Sequence, residues 1–176
     1  MSVQQAVKVG IVLGSDSDLD VMLEAVKVLD ALEIGCEVVV ASAHRTPRRT
    51  EEYASSAAGR GLGVLIGAAG GAAALPGVLA ASSPLPVIGV PIASTPLGGV
   101  DALFSIAQMP PGVPVATVAV GAWGATNAAI LAAQILATAD PALAKRLADY
   151  RVRLAAQVDE RQRRVTERVA AARAQS

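Results

Sequence analysis

The sequence predicts a doubly wound α/β sandwich, a parallel sheet covered by helices on both faces, followed by one long C-terminal helix. Three observations carry that prediction. Short runs rich in β-branched residues alternate five times with Ala/Leu-rich stretches, the rhythm of strands joined by right-handed helical crossovers. The runs are continuously apolar but for Lys8, Glu37 and Thr117, instead of alternating with polar residues, as strands buried on both faces are. Residues 61–139 contain a single charged side chain, Asp101, where an exposed monomer surface would carry many. Pro76, Pro84, Pro86, Pro91 and Pro96 interrupt that stretch too often for membrane helices, which leaves burial in protein, subunit interfaces included.

In chain order, 7–13 (VKVGIVL) reads as the first strand and 19–32 as the helix after it. The next pairs are 36–41 with 48–60, where Pro47 opens the helix, and 64–68 with 75–82. They are followed by 87–90 with 100–108, and 115–120 with 125–138. From Pro141 the pattern changes. Pro141 suits a first helical turn, and Leu143, Leu147, Tyr150, Leu154 and Val158 recur at helical spacing with Arg and Glu on the other face. Charge divides at the same point: 1–140 holds six Lys/Arg against eleven Asp/Glu, and 141–176 holds nine against four. We therefore read a domain over 1–140 and a basic helix over 141–176 that packs one stripe on its own domain or on a neighbouring subunit. The apolar middle predicts a homo-oligomer.

A net charge of zero and four aromatic residues in all, Tyr53, Phe104, Trp123 and Tyr150, argue against a nucleic-acid partner. The 53% hydrophobic content excludes a disordered chain. With only Cys36 and His44 available there is no Cys/His zinc site and no disulfide, and Cys36 beside Val38-Val39-Val40 reads as a small buried hydrophobe. The first ten residues lack the basic and long apolar regions of a signal peptide and no membrane span is expected, which implies a cytoplasmic protein.

Ligands of open parallel sheets bind at the carboxyl ends of the strands, so chemistry is sought in the loops that follow strands. After the first strand stands Gly14-Ser15-Asp16-Ser17-Asp18, whose hydroxyls and backbone N–H groups suit a phosphate. Equally, Ser17 or Asp18 caps the next helix. Asp18 would repel phosphate and suits a sugar hydroxyl or ring amine. The second strand is followed by Ser42-Ala43-His44-Arg45-Thr46-Pro47, which joins an imidazole able to take and give a proton near neutrality to a guanidinium able to clamp an anion. A surface or capping histidine is the alternative. Residues 67–77 then offer no side chain larger than methyl until Leu75, which lets backbone approach a ligand or lets elements pack closely. No GxSxG elbow and no acidic pair for glycoside hydrolysis occurs.

GSDSD, SAHRTP, the stretch Gly70–Gly77 (GGAAALPG), Gly89-Val90-Pro91, residues 105–110 (SIAQMP) and Asn127-Ala128-Ala129 occur in that order. Together they resemble the PurE family of N5-carboxyaminoimidazole ribonucleotide mutases of purine biosynthesis, in its bacterial form. The resemblance implies a flavodoxin-like three-layer αβα domain, a homo-octamer whose C-terminal helix reaches a neighbour, a ribonucleotide substrate, and no metal or organic cofactor. It implies that Ser15, Ser17 and Arg45 hold the substrate phosphate, that Asp18 meets the ribose, and that Ser42 with Ala69 and Gly70 surrounds the reacting carboxylate. Gly71 and Leu75 complete the binding set, and His44 shuttles the proton. The chain departs from the family pattern in three places. Ala74 stands where GGAAHLPG has a second histidine, Ala68-Ala69-Gly70-Gly71 replaces the GAGG that precedes it, and Trp123 stands where a small residue is usual.

Overall fold

The computed structural model describes residues 6–174; residues 1–5 and 175–176 lie outside it, and with them half of the N-terminal segment read above as lacking a leader. The chain divides into two compact units, Met1–Leu136 and Ala137–Ser176.

The first unit is built on a five-stranded parallel sheet of order β2-β1-β3-β4-β5, the flavodoxin-like arrangement. Its strands are β1 (Val7–Leu13), β2 (Gly35–Val40), β3 (Val64–Gly70), β4 (Val87–Ile92) and β5 (Ala116–Thr117). Between and after them run α1 (Leu19–Ala31), α2 (Pro47–Ala57), α3 (Leu75–Ser82), α4 (Val100–Ala107) and α5 (Ala122–Ala137). The order reverses at β1, so right-handed crossovers put α2, α3 and α4 on one face and α1 on the other. On the first face Ala54 of α2, Leu79 of α3 and Ile106 of α4 join Val12, Leu65 and Val87 of the sheet in one buried cluster. Gly89 makes the contact with α4 possible, since a Cβ at that position would overlap Ile106.

β3 and β4 are buried almost throughout, as unbroken apolar strands should be. β2 is the edge strand and differs, with Val38 and Val40 exposed. Cys36 is accordingly half-buried, not the core residue its valine neighbours suggested. Burial, followed by the charge of Asp30, raises its thiol pKa. Glu37 of the same strand accepts hydrogen bonds from the Tyr53 hydroxyl and the Arg60 guanidinium, tying β2 to α2 and the turn beyond it.

β5 is shorter than the 115–120 expected from its valines. The cause lies in its neighbour. Val118 donates to Gly89 O and Gly121 to Pro91 O, so the chain keeps alongside β4, yet Pro91 has no N–H to return and the regular ladder stops.

The second unit consists mainly of α6 (Pro141–Ala174). Asp140 starts it, its Oδ1 accepting from the N–H groups of Ala142 and Leu143 at 3.0 Å each. Lys145 and Asp149 pair at 2.8 Å one turn apart. Leu143 and Leu147 are buried, whereas Leu154, Val158, Val165 and Val169 are exposed. Among the described residues no helix is long and apolar enough to cross a membrane.

Candidate active site

A cleft of about 360 Å³ opens at the carboxyl ends of β1 and β3, where the strand order reverses. Four loops after strands reach it.

The loop after β1 brings Gly14, Ser15, Ser17 and Asp18. Gly14 N–H donates to Ala68 O at 3.0 Å, which seats the loop against the end of β3. Ser15 caps a short 3-10 turn over Asp16–Asp18, and the Asp18 carboxylate answers by accepting from Ser15 N–H at 3.2 Å, a reciprocal capping box. The Ser17 hydroxyl donates to Ser15 Oγ at 2.9 Å, so the two hydroxyls stand side by side. Asp18 is buried. That burial raises its pKa, opposed by the Ser15 and Ser17 hydrogen bonds and reinforced by Asp16. The expected cap of α1 by Ser17 or Asp18 is not made, since its N-cap Asp18 forms no side-chain capping bond; Ser15 and Asp18 instead close the box on the 3-10 turn, and both line the cleft.

The loop after β2 brings Ser42, Ala43, His44 and Arg45. Thr46 staples it, accepting from Ser42 N–H at 2.9 Å and donating to Ser42 O at 3.1 Å. The Ser42 hydroxyl oxygen accepts from Arg45 N–H at 3.3 Å and from Nε at 3.4 Å. With both lone pairs engaged, its own proton is left to donate to an anionic oxygen in the cleft. Arg45 Nη2 donates to Gly14 O at 3.1 Å, joining the first two loops. Among the described residues no protein group bonds either ring nitrogen of His44, which is exposed at the cleft wall.

The loop after β3 supplies a floor of Ala69, Gly70, Ala73, Ala74 and Leu75. Ala74, at the position of the family's second histidine, presents a methyl group. Gly71 is not among the lining residues; it lies just past β3 with φ +61° and turns the chain.

Ser94, from the loop after β4, also lines the cleft, and sequence reasoning did not single it out. Its Oγ occupies the space a Cβ at Gly70 would need, so the glycine is what admits the serine. The signal was available, since Ala93-Ser94-Thr95 follows a strand and belongs to the same class of loop. Trp123 is 82% exposed on α5 and does not line the cleft.

Fold and cleft together define an α/β protein of the doubly wound class with a pocket at its switch point that is lined by an imidazole, a guanidinium and hydroxyls. Comparison narrows the class. Residues 8–157 match the AIR carboxylase (AIRC) family, and the chain belongs to that family. It is 58% identical over 144 residues to a Pyrococcus abyssi protein named N5-carboxyaminoimidazole ribonucleotide mutase, covering 82% of each chain. A Synechocystis protein of the same name is 53% identical, over 88% of this chain and 86% of the relative. The crystal structure of Treponema denticola PurE superposes with a TM-score of 0.77 at 28% identity, over 86% of this chain and 94% of that one.

Proposed function

We propose that this chain is an N5-carboxyaminoimidazole ribonucleotide mutase, an isomerase of purine biosynthesis that moves a carboxylate from the exocyclic nitrogen to ring carbon C4. The observation that supports this most directly is the meeting in one cleft of His44, the Ser15-Ser17-Arg45 group and the small-residue floor around Ala69 and Gly70.

In this reading Ser15, Ser17 and Arg45 hold the phosphate and Asp18 a ribose hydroxyl. The Ser42 hydroxyl and the Ala69-Gly70 backbone surround the carboxylate. The N–C bond to that carboxylate breaks and releases carbon dioxide while protonated His44 gives its proton to the nitrogen. C4, made nucleophilic by the adjacent amine, attacks the same carbon dioxide. The imidazole then takes the C4 proton, which restores both the aromatic ring and the protonated catalyst. Carbon dioxide held against its acceptor reacts as an intramolecular partner, and a methyl-walled floor keeps water from it. No ATP enters this balance.

The residues that would do this lie within 1–140, so we assign catalysis to that segment, and association with a neighbouring subunit to 141–176. We read the assembly as a homo-octamer and its location as cytoplasmic.

The test is the interconversion of the N-carboxylated and C-carboxylated aminoimidazole nucleotides. His44→Asn should lower kcat by about a hundred- to ten-thousand-fold with nucleotide binding retained. Near-normal turnover would remove His44 from the mechanism. Ala74 in place of the family's second histidine favours one other reading, a related enzyme that decarboxylates or carboxylates a different azole or pyridine nucleotide; release of free aminoimidazole nucleotide alone would mark the chain as a decarboxylase. Tight binding with no turnover would point to a non-catalytic oligomer.

A further inference from the structure

Beside the cleft lies a second hollow of about 270 Å³ that shares Ser15, Ser42 and Arg45 with it and adds Asp16, Thr46 and Arg49. The charge balance of the two spaces gives the hollow a purpose. The cleft proper has one guanidinium, Arg45, and one carboxylate, Asp18. A phosphate monoester brings about 1.5 to 2 negative charges at neutral pH. Arg45 is also partly committed, donating from Nη2 to Gly14 O and from Nε to Ser42 Oγ. The hollow contributes a further carboxylate, Asp16, and a further guanidinium, Arg49. With the His44 imidazole committed to the reacting carboxylate, two carboxylates and one guanidinium would face a dianion without Arg49.

Arg49 makes no ion pair or hydrogen bond through its side chain with any described residue. It lies in the first turn of the 11-residue α2, whose N-cap Thr46 makes no side-chain capping bond and itself lines the hollow, so the positive end of that helix borders it. A planar fork with its donors free, one turn from a partly occupied one and across a shared serine, is suited to a tetrahedral anion.

We propose that Arg49 is a second phosphate-binding residue, closing from the hollow on the substrate phosphate that Ser15, Ser17 and Arg45 hold from the cleft. The inference rests on the nucleotide reading of the cleft and deepens it.

Calorimetric titration of the full chain with ribose 5-phosphate, ribose and inorganic phosphate tests it, alongside steady-state kinetics with the nucleotide. Arg49→Gln should weaken ribose 5-phosphate binding by about tenfold to a hundredfold, the worth of a charge-assisted hydrogen bond, and leave ribose binding unchanged. It should raise KM by a similar factor at constant kcat, and Arg49→Lys should recover part of the affinity. Arg48→Gln, one residue away and outside the hollow, should behave as wild type. If wild type binds ribose 5-phosphate and Arg49→Gln binds it equally well, the inference fails and the nucleotide site stands. If Arg49 affects inorganic phosphate alone, the hollow is a separate phosphate site and the inference fails. An equal loss in Arg48→Gln would reduce the effect to the general field and overturn it. Should wild type neither bind ribose 5-phosphate nor turn over the nucleotide, the nucleotide reading falls and takes the inference with it.

Discussion

Asp18 is held where an ionised carboxylate is disfavoured. It is buried, and burial raises its pKa against the opposing hydrogen bonds from Ser15 and Ser17. The folded chain therefore binds this proton more tightly than the unfolded one, and Asp18 lowers stability as pH rises from the ordinary carboxylate value through its raised one. Asn in its place offers the same acceptor to Ser15 N–H and carries no charge. Asp18→Asn should leave the Tm at pH 7 equal to or above that of wild type and flatten the acid-to-neutral slope of Tm. Affinity for ribose 5-phosphate should fall, since an ionised carboxylate is the stronger acceptor for a ribose hydroxyl. A lower Tm at pH 7 would place the worth of Asp18 in its capping bond instead. Ala74 poses the opposite case, a site residue reduced to a methyl group at the cleft wall. Ala74→His should raise mutase turnover by supplying a second imidazole; unchanged turnover would mean that one suffices.

At the scale of elements, the approach of α4 to the sheet depends on Gly89, where a Cβ would overlap Ile106 and sit 3.3 Å from Pro76 Cβ. Gly89→Ala should destabilise the fold by about 1–3 kcal/mol, as overpacking does, read as a drop in Tm. Adding Ile106→Leu, which removes the Cβ branch that carries the overlapping Cγ2, should recover part of the loss; no recovery would mean that Val115, whose Cγ1 would lie 3.0 Å from the new methyl, sets the limit. The same packing explains what the sequence disclosed. The order and type of the elements were legible because the strands are apolar runs broken only by Lys8, Glu37 and Thr117, and each helix starts or ends on Pro, Gly or a polar turn. The site loops were legible because a parallel sheet gathers them at one end, so that three loops distant in sequence share the wall with His44. What escaped depends on neighbours in space. β5 stops early because of Pro91 on the adjacent strand, Cys36 is half-buried because β2 is an edge, and Ser94 enters the cleft because Gly70 leaves it room. Local composition records none of these relations.

At the scale of the whole molecule, one copy leaves large apolar side chains uncovered. Leu97 is 65% exposed, Phe104 59% and Trp123 82%, in the stretch where Asp101 is the only charge. In the second unit α6 runs for 34 residues, about 50 Å, with Leu154, Val158, Val165 and Val169 exposed along it. Propensity alone holds a helix only marginally in water, and most helical stability comes from packing of an apolar stripe. A second copy of the chain is the partner whose concentration always matches, and fully burying one such side chain contributes about 1.5–3 kcal/mol. The stripe should therefore be an assembly surface. Val158→Glu together with Val165→Glu adds two charges to it while leaving the sheet and the cleft untouched. Light scattering at micromolar concentration should give a multimer for wild type and a smaller mass for the double variant. Circular dichroism should lose helical signal in proportion to α6 while the sheet unit keeps its Tm. A wild-type chain that is monomeric at that concentration, or a double variant of unchanged mass and helicity, would show that α6 holds its helix without a partner.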